Sequence, residues 1–333
     1  MYRPINTSTS STTIVTCIEA GGLEDQVVLL ARSLRRLGGL YANLPIVAIK
    51  ARAGPPLRRR TRRALNELDV RFVDKPVNSN RAWWAHANKP AALLWADQEL
   101  RTQFISWMDS DMLVLRELDP LTPPEGCDFI ARAGEGFDVA SSGSDDKALF
   151  WRSVCAQQGL DFSTFPTIES FPDQKLIKAY WQAGLFTFRR GTAFAPTYNR
   201  VMNDLLAGNI GSRYAGVYHT DQVALAVAVQ AAITSAAQYR PTMNLNLNDK
   251  DPSTFERYPF EEVKIVHYHG SFYSEKSNWA IAQLSNMSKE QVSVLNGLVP
   301  LSVGGFTLRL HRKFYETIRS FKIKAYHARV KLV

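Results

Sequence analysis

Apolar runs and helical repeats alternate along the first two-thirds of the chain. Ile14 to Ile18 is a short, largely apolar run of the kind that forms a strand buried on both faces. Leu23, Val27, Ala31 and Leu34 then recur at helical spacing, with arginines in the last turn and Gly38-Gly39 as the stop. Pro45 to Ile49 reads as a second strand, Leu57 to Leu68 as a second helix and Val70 to Val73 as a third strand. Asn88 to Leu100 reads as a helix with Lys89-Pro90 in its first turn, where proline is tolerated. Phe104 to Met108 makes a fourth strand that ends at Asp109. This alternation predicts an α/β fold with a mostly parallel sheet and helices on both faces. Ligands of such sheets bind beyond the carboxyl ends of the strands, where Thr16 to Glu19 and Asp109 to Asp111 fall.

Further along, Cys127 to Arg132 and Ala183 to Phe188 read as strands, and Asp145 to Gln158 and Thr192 to Leu206 as helices. Gly134 to Asp146, rich in Gly, Ser and Asp, reads as a loop. Thr220 is placed to cap a helix over Asp221 to Ala232, and Val263 to Val266 makes a late strand just before His267. Pro241 to Pro259 shows no periodicity, and the chain has no internal repeat.

Length and composition narrow the class. The 333 residues are 45% hydrophobic and 21% charged, enough for a large buried core. No run approaches the roughly 20 apolar residues of a membrane-spanning helix, and Met1 to Thr13 lacks the apolar stretch of a secretory signal. Three widely spaced cysteines, Cys17, Cys127 and Cys155, fit no zinc pattern and suit a reducing, cytoplasmic compartment. Lysine and arginine outnumber aspartate and glutamate by 40 to 31, a net charge of +9 that attracts polyanions. The spacing and aromatic signatures of nucleic-acid-binding modules are absent, so no nucleic-acid partner is expected.

The chemistry concentrates at Asp109-Ser110-Asp111, which sits between the apolar runs Phe104 to Met108 and Met112 to Leu115. In an extended segment residues i and i+2 point the same way, so both carboxylates are expected to face one point. Two carboxylates at the open end of a buried strand need a compensating cation. A divalent ion with oxygen ligands, Mn²⁺ or Mg²⁺, supplies it, and would bridge a diphosphate and stabilise charge on a leaving group. His267-Tyr268-His269-Gly270 follows the late strand, at a position from which a histidine offers a nitrogen ligand to the same ion.

Four blocks in this order resemble family 8 glycosyltransferases, the glycogenin and lipopolysaccharide galactosyltransferase group. They are Lys89 to Leu121 with the Asp-Ser-Asp triplet, Gln182-Ala183-Gly184-Leu185-Phe186, Asp221-Gln222 before an apolar helix, and His267-Tyr268-His269-Gly270. Gln182 stands where that family has Asn, Val223 where it has a second Asp, and Lys276 and Trp279 lie in a longer, proline-free segment than its Lys-Pro-Trp. The resemblance implies a GT-A fold, a mostly parallel mixed sheet flanked by helices. It further implies transfer of a sugar from a nucleotide-diphosphate sugar, UDP-hexose in that family, with retention of anomeric configuration. By the same alignment Asp109, Asp111 and His267, rather than His269, hold the Mn²⁺ or Mg²⁺, and Asp109 also reaches towards the ribose. Thr16 and Glu19 face base and ribose, Ser110 contacts the nucleotide sugar, and Lys89 and Lys276 neutralise phosphate. Gln182 and Asp221 hold donor-sugar hydroxyls, and Gln222 sits near the reacting carbon opposite the leaving group.

Two basic segments remain. Arg58, Arg59, Arg60, Arg62 and Arg63 crowd the second helix and are expected to form a solvated face. Near the C-terminus Leu310, Phe314, Ile318 and Phe321 make an apolar stripe among Arg309, Arg312, Lys313, Arg319, Lys322, Lys324, Arg329 and Lys331. Such a helix lies on an anionic membrane surface, as suits a lipid-linked or lipopolysaccharide acceptor, or packs on the catalytic domain or a second subunit. The expected organisation is a disordered N-terminus over 1–12, a catalytic domain over 13–285 and a basic helical extension over 286–333. Two readings compete with the transferase: a sugar-phosphate nucleotidyltransferase, which Glu19-Ala20-Gly21-Gly22 fits poorly for want of a following basic run, and a non-catalytic polysaccharide- or lipid-binding protein with a degenerate site.

Overall fold

A computed structural model describes residues 11–333 except 138, 215, 218, 249–252, 274–275 and 285–286; the expected disorder of residues 1–10 falls outside the described residues. The first half of the chain runs β1 (Thr12–Cys17), α1 (Gly22–Leu37), β2 (Ile46–Lys50), α2 (Arg59–Glu67), β3 (Val70–Asp74), α3 (Asn88–Glu99), β4 (Phe104–Met108) and β5 (Met112–Val114). It continues with β6 (Phe129–Ala133), α4 (Ala148–Gln157), the hairpin β7 (Thr167–Glu169) and β8 (Leu176–Lys178), β9 (Trp181–Arg189), α5 (Phe194–Gly208), β10 (Ile210–Gly211) and α6 (Thr220–Ala232). The last part holds β11 (Ala236–Gln238), β12 (Leu245–Asn246), α7 (Ser253–Arg257), β13 (Ile265–His267), α8 (Ser277–Gln283), α9 (Lys289–Leu295), α10 (Phe306–His327) and β14 (Lys331–Leu332).

The central sheet has seven strands in the order β11-β6-β9-β4-β1-β2-β3. All neighbours are parallel except β9, which runs antiparallel to both β4 and β6. Every residue of β2, β4 and β6 is buried, which explains why these strands are near-continuous apolar runs instead of alternating ones. Where β9 reverses, the loops at the end of β4 face those that lead into β9, and the backbone N–H of Asp109 donates to Gly184 O at 2.8 Å. A second sheet, β12-β13-β5, stands beside this point, with β13 antiparallel to β5 so that His267 lies opposite Met112. Strand β5 was not legible as separate from β4, because the turn at 109–111 leaves the apolar pattern unbroken.

Helix α1 starts where Gly21, at φ +114°, turns the chain, and Glu24 accepts from the Gly21 N–H at 3.0 Å. Arg58 pairs with the buried Glu24 and Asp25 at 3.2 and 2.7 Å, and Arg60 reaches Asp25 at 3.1 Å. Part of the expected solvated arginine face is therefore an anchor, since two buried carboxylates in the first turn of α1 require counter-charge; Arg59, Arg62 and Arg63 stay exposed. One face of the sheet packs an aromatic layer in which Phe188 and Phe194 approach at 4.7 Å and Phe194 and Tyr198 at 5.7 Å.

The C-terminal segment docks on this body. Arg32 of α1 donates to Val294 O and Asn296 O, Tyr326 of α10 packs on Trp83 at 5.0 Å, and β14 pairs with β10. Arg319 of α10 donates to Ala53 O at 2.6 Å. The Pro241 to Pro259 stretch, which shows no period, holds a short 3₁₀ turn, the two residues of β12 and the five of α7, each too short to register as a pattern.

Phe188 is fully buried in the aromatic layer. Phe188→Ala is expected to lower the unfolding free energy in urea by about 3–5 kcal/mol, with retention of the far-ultraviolet circular dichroism of the native protein.

Candidate active site

Asp109 and Asp111 lie on the turn that joins β4 to β5, and a turn does not aim i and i+2 at one point. Asp109 faces inward: its Oδ1 accepts from Trp107 Nε1 at 2.7 Å and lies 3.3 Å from Lys89 Nζ. Asp111 faces the second sheet, where its Oδ1 lies 3.0 Å from His267 Nε2 and its Oδ2 3.8 Å from His269 Nδ1. The two imidazoles stack at 3.9 Å, with His269 at φ +49°. One ligand atom from each of Asp111, His267 and His269 falls within 4.8 Å of the others. The expected trio of Asp109, Asp111 and His267 thus differs from the side chains that converge: His269 joins, and Asp109 is drawn off by the Lys89 ammonium.

The electrostatics follow from burial and neighbours. Burial alone would raise the Asp111 carboxyl, but His267 and then His269 bring it down to about 2. Burial pushes Asp109 above its ordinary value against the pull of Lys89, with the Asp111 charge adding to the rise. His267 is raised despite its burial because Asp111 favours its charged form, whereas burial and the adjacent His267 lower His269 to about 4. His267 Nδ1 is buried without a hydrogen-bond partner. A carboxylate and two imidazoles in this arrangement fit a divalent first-row ion, and nitrogen donors suit such an ion better than they suit Mg²⁺.

Lys89, in the first turn of α3, is buried and links the acid turn to α6. Its ammonium donates to Asp221 Oδ2 at 3.1 Å and to Ala183 O at 2.9 Å, and sits 5.5 Å from the centre of the Trp107 ring. Burial opposes its charge, yet Asp109 and Asp221 together raise its pKa. Asp221 is held well below the usual carboxylate range: burial works against this, and Lys89 followed by His86 outweighs it. His86 Nδ1 lies 3.8 Å from Asp221 Oδ2, and Asp221 raises the imidazole although burial would lower it. His86 and Lys89 are three residues apart across the 3₁₀ turn Ala85–Ala87 that leads into α3. That i, i+3 spacing was the available signal for His86.

The remaining expected residues divide. Gln182, at the start of β9, accepts from the Gly184 N–H and from Asn244 Nδ2 at 2.9 Å, which leaves its amide N–H groups to donate. Gln222 stands beside Asp221 in the first turn of α6 and accepts from the Tyr180 hydroxyl. Ser110 donates to Gln26 at 2.8 Å. Glu19 is engaged by Arg52, whose Nη2 lies 2.9 Å from Oε2, and by Asn88 at 2.7 Å. Thr16, expected at the ligand, is fully buried inside β1, one residue short of the strand's end. Lys276 is exposed just before α8.

Glu19, Arg52 and His86 open on a cavity of about 390 Å³ whose floor includes Trp83 and Trp84 and whose opposite wall is α10, through Arg312, Tyr315 and Arg319. Lys50, Arg52, Arg312 and Arg319 outnumber the carboxylates Glu19 and Glu316 along its lining. Arg52, His86, the paired tryptophans and this α10 wall were not singled out from sequence, since the elements that carry them meet only in the fold.

Residues 14–233 match the model of the Rhodobacterales glycosyltransferase domain. The chain belongs to this glycosyltransferase family. It is a glycosyltransferase, so the nucleotidyltransferase and non-catalytic readings are set aside. The fold is shared with the apo structure of WbbM, a bifunctional glycosyltransferase, at 16% identity and a TM-score of 0.52 over 88% of this chain and 52% of WbbM. It is shared also with an active-site mutant of LgtC, at 12% identity and a TM-score of 0.52 over 85% of this chain and 100% of that one. The chain therefore spans about half the length of WbbM. No curated protein matches it by sequence. These likenesses show that it has the fold of those glycosyltransferases. The region matched to the family contains Lys89, Asp109, Asp111, Gln182 and Asp221, and ends before His267, His269 and α10.

Replacing Lys89 by methionine strands two buried carboxylates. Lys89→Met is expected to cost about 3–5 kcal/mol of stability near neutral pH. Asp221 has a depressed folded pKa in the parent, so its contribution is full above the unfolded-state value and is lost as pH falls; in the variant the largest lowering influence is gone and only His86 still opposes burial. The deficit should therefore narrow as pH is lowered towards the ordinary carboxylate range of about 4, since the variant's stranded carboxylates take up protons more readily than the parent's Asp221. Urea titrations of both proteins at neutral and mildly acidic pH measure this.

Proposed function

We propose that this glycosyltransferase draws its sugar from a nucleotide-diphosphate sugar, a UDP-hexose, and transfers it with retention of configuration to a saccharide or lipid-linked acceptor. The observation that supports this reading is the meeting of a carboxylate–imidazole cluster, a buried lysine and a cationic, aromatic-lined cavity at one end of the sheet. A nucleotide needs each of these: aromatic faces for the base, positive charge for the phosphates and hydrogen-bonding groups for the sugar.

Asp111, His267 and His269 are the residues that would hold a divalent ion, with Asp109 on the same turn. When bound, that ion supplies positive charge for the diphosphate as the glycosidic bond to it breaks. The protein's own groups do the rest. Lys89 and His86 keep Asp221 ionised by approaching its Oδ2, which leaves Oδ1 to accept from a donor-sugar hydroxyl. Gln182 is fixed by Gly184 and Asn244 so that its amide donates to a second hydroxyl. Gln222, oriented by Tyr180, borders the face of the sugar opposite the leaving phosphate. Glu19 acts through Arg52 and Asn88 and shapes the cavity. The donor set favours Mn²⁺ over Mg²⁺.

Two measurements test the reading. In thermal or chemical unfolding, UDP with Mn²⁺ at about a hundredfold its dissociation constant should add roughly 2.7 kcal/mol of stability; Mg²⁺ should do less, and Asp111→Asn should abolish the gain. Indifference to every nucleotide, and to Mn²⁺ itself, would sink the assignment of donor and metal. Gly184 is the second probe, because a Cβ there would stand 2.8 Å from His267 Cε1 and 2.8 Å from the Met112 methyl. Gly184→Ala should displace the imidazole and weaken Mn²⁺ binding by about 10–100-fold, as read by calorimetric titration of a folded variant.

A further inference from the structure

Helix α10 has two faces of opposite character. Arg312, Tyr315, Arg319 and Ile323 line the cavity, and Tyr326 is buried against Trp83. On the other side Leu310, Phe314, Ile318 and Phe321 are 57%, 65%, 48% and 69% exposed. Those four fall on a single arc of about 80° at 100° per residue. A large aromatic or aliphatic side chain left this open is ordinary when solitary, but a contiguous helical stripe marks a surface that another apolar phase covers.

The charges around the stripe say which phase. Lys313 and Lys324 border it on one side and Lys322 on the other, all exposed. The helix carries one carboxylate, Glu316, and this lies on the cavity side in an ion pair with Arg312 at 2.8 Å. The complementary surface must therefore be apolar at its centre and anionic at its rim. A second copy of the chain answers only the first requirement, because an isologous pairing of the stripes brings lysine rims of like sign together. Among the described residues no helix is long and apolar enough to cross a membrane, so a helix of this kind lies in the plane of the interface, as long lysine side chains reaching to headgroups allow.

We propose that the outer face of α10 docks on an anionic lipid bilayer, with Leu310, Phe314, Ile318 and Phe321 inserted at the headgroup boundary. Its inner face meanwhile remains the wall of the cavity, so the docked enzyme holds its cavity one helix thickness from the lipid. The surface lies wholly outside the region matched to the family and does not depend on the identity of the donor.

Sedimentation of the full chain with vesicles tests this. Binding is expected to vesicles of phosphatidylcholine mixed with phosphatidylglycerol, weakly or not at all to phosphatidylcholine alone, and to fall as salt is raised. Phe314→Asp with Phe321→Asp should abolish it, and Lys313→Gln with Lys322→Gln and Lys324→Gln should reduce partitioning on the order of a hundredfold. All five positions are exposed, and the lysine variant, which leaves the apolar stripe intact, keeps the test decisive if the aspartates impair folding. The proposal is overturned if the parent binds neither vesicle, or if binding ignores both the lipid charge and the lysines. It is overturned also if the stripe instead mediates concentration-dependent dimerisation that Phe314→Asp abolishes.

Discussion

The buried ammonium of Lys89 is the interaction on which the site depends. It joins the first turn of α3, the acid turn after β4, the backbone of β9 and the first turn of α6. Each of the last three brings a carboxylate or a carbonyl that would be costly to bury alone, and the single cation of α3 reaches all of them. The antiparallel insertion of β9 between β4 and β6 makes this geometry available, since it places Ala183 and Gly184 beside the end of β4. Proximity to Lys89 also separates the two aspartates: Asp109 pairs with the ammonium, and Asp111 with the imidazoles.

Much of the central sheet was legible because its strands are buried on both faces and its helices are long. Strand β4 was read with its observed bounds, and the helices from Asn88, Asp221 and the C-terminal stripe within a few residues of theirs. The parts that were not legible share a physical cause. Strands β5 and β12 have three and two residues and owe their conformation to pairing with β13, which was read two residues early as Val263 to Val266. The direction of the Asp-Ser-Asp carboxylates was read from strand periodicity, and a tight turn at those residues removes the premise. Thr16 was placed by its nearness to a strand end, but alternation aims it into the sheet.

The same limit governed the second layer of the site. Arg52 with Glu19, His86 with Asp221 and Tyr180 with Gln222 join residues from 33 to 135 positions apart, and no local pattern announces them. These partners fix the orientation of residues that sequence could name, and His86 also helps to keep Asp221 ionised. Glu19 is the clearest case. As an isolated loop acid it suggests direct contact with base or ribose; the fold adds its pairing with Arg52 and Asn88, which fixes it in the cavity wall.

Helix α10 shows why an exposed apolar stripe should be read together with what lies behind it. A helix that only supported the catalytic domain would turn its apolar side inward, as α1 does with Val27, Leu30 and Leu34. Here the inward side of α10 is mainly arginine and tyrosine with Ile323 among them, and the more apolar side faces out. That inversion costs burial that the fold would otherwise gain, by about 25 cal/mol for each Å² of apolar surface left in water. Two requirements account for it: the cavity demands positive charge and hydrogen-bonding capacity on its wall, and the outer surface demands contact with something apolar. A helix that meets both ties the cavity wall to whatever the outer face touches, so a displacement of α10 is felt at Arg312 and Arg319 without passing through the core of the sheet.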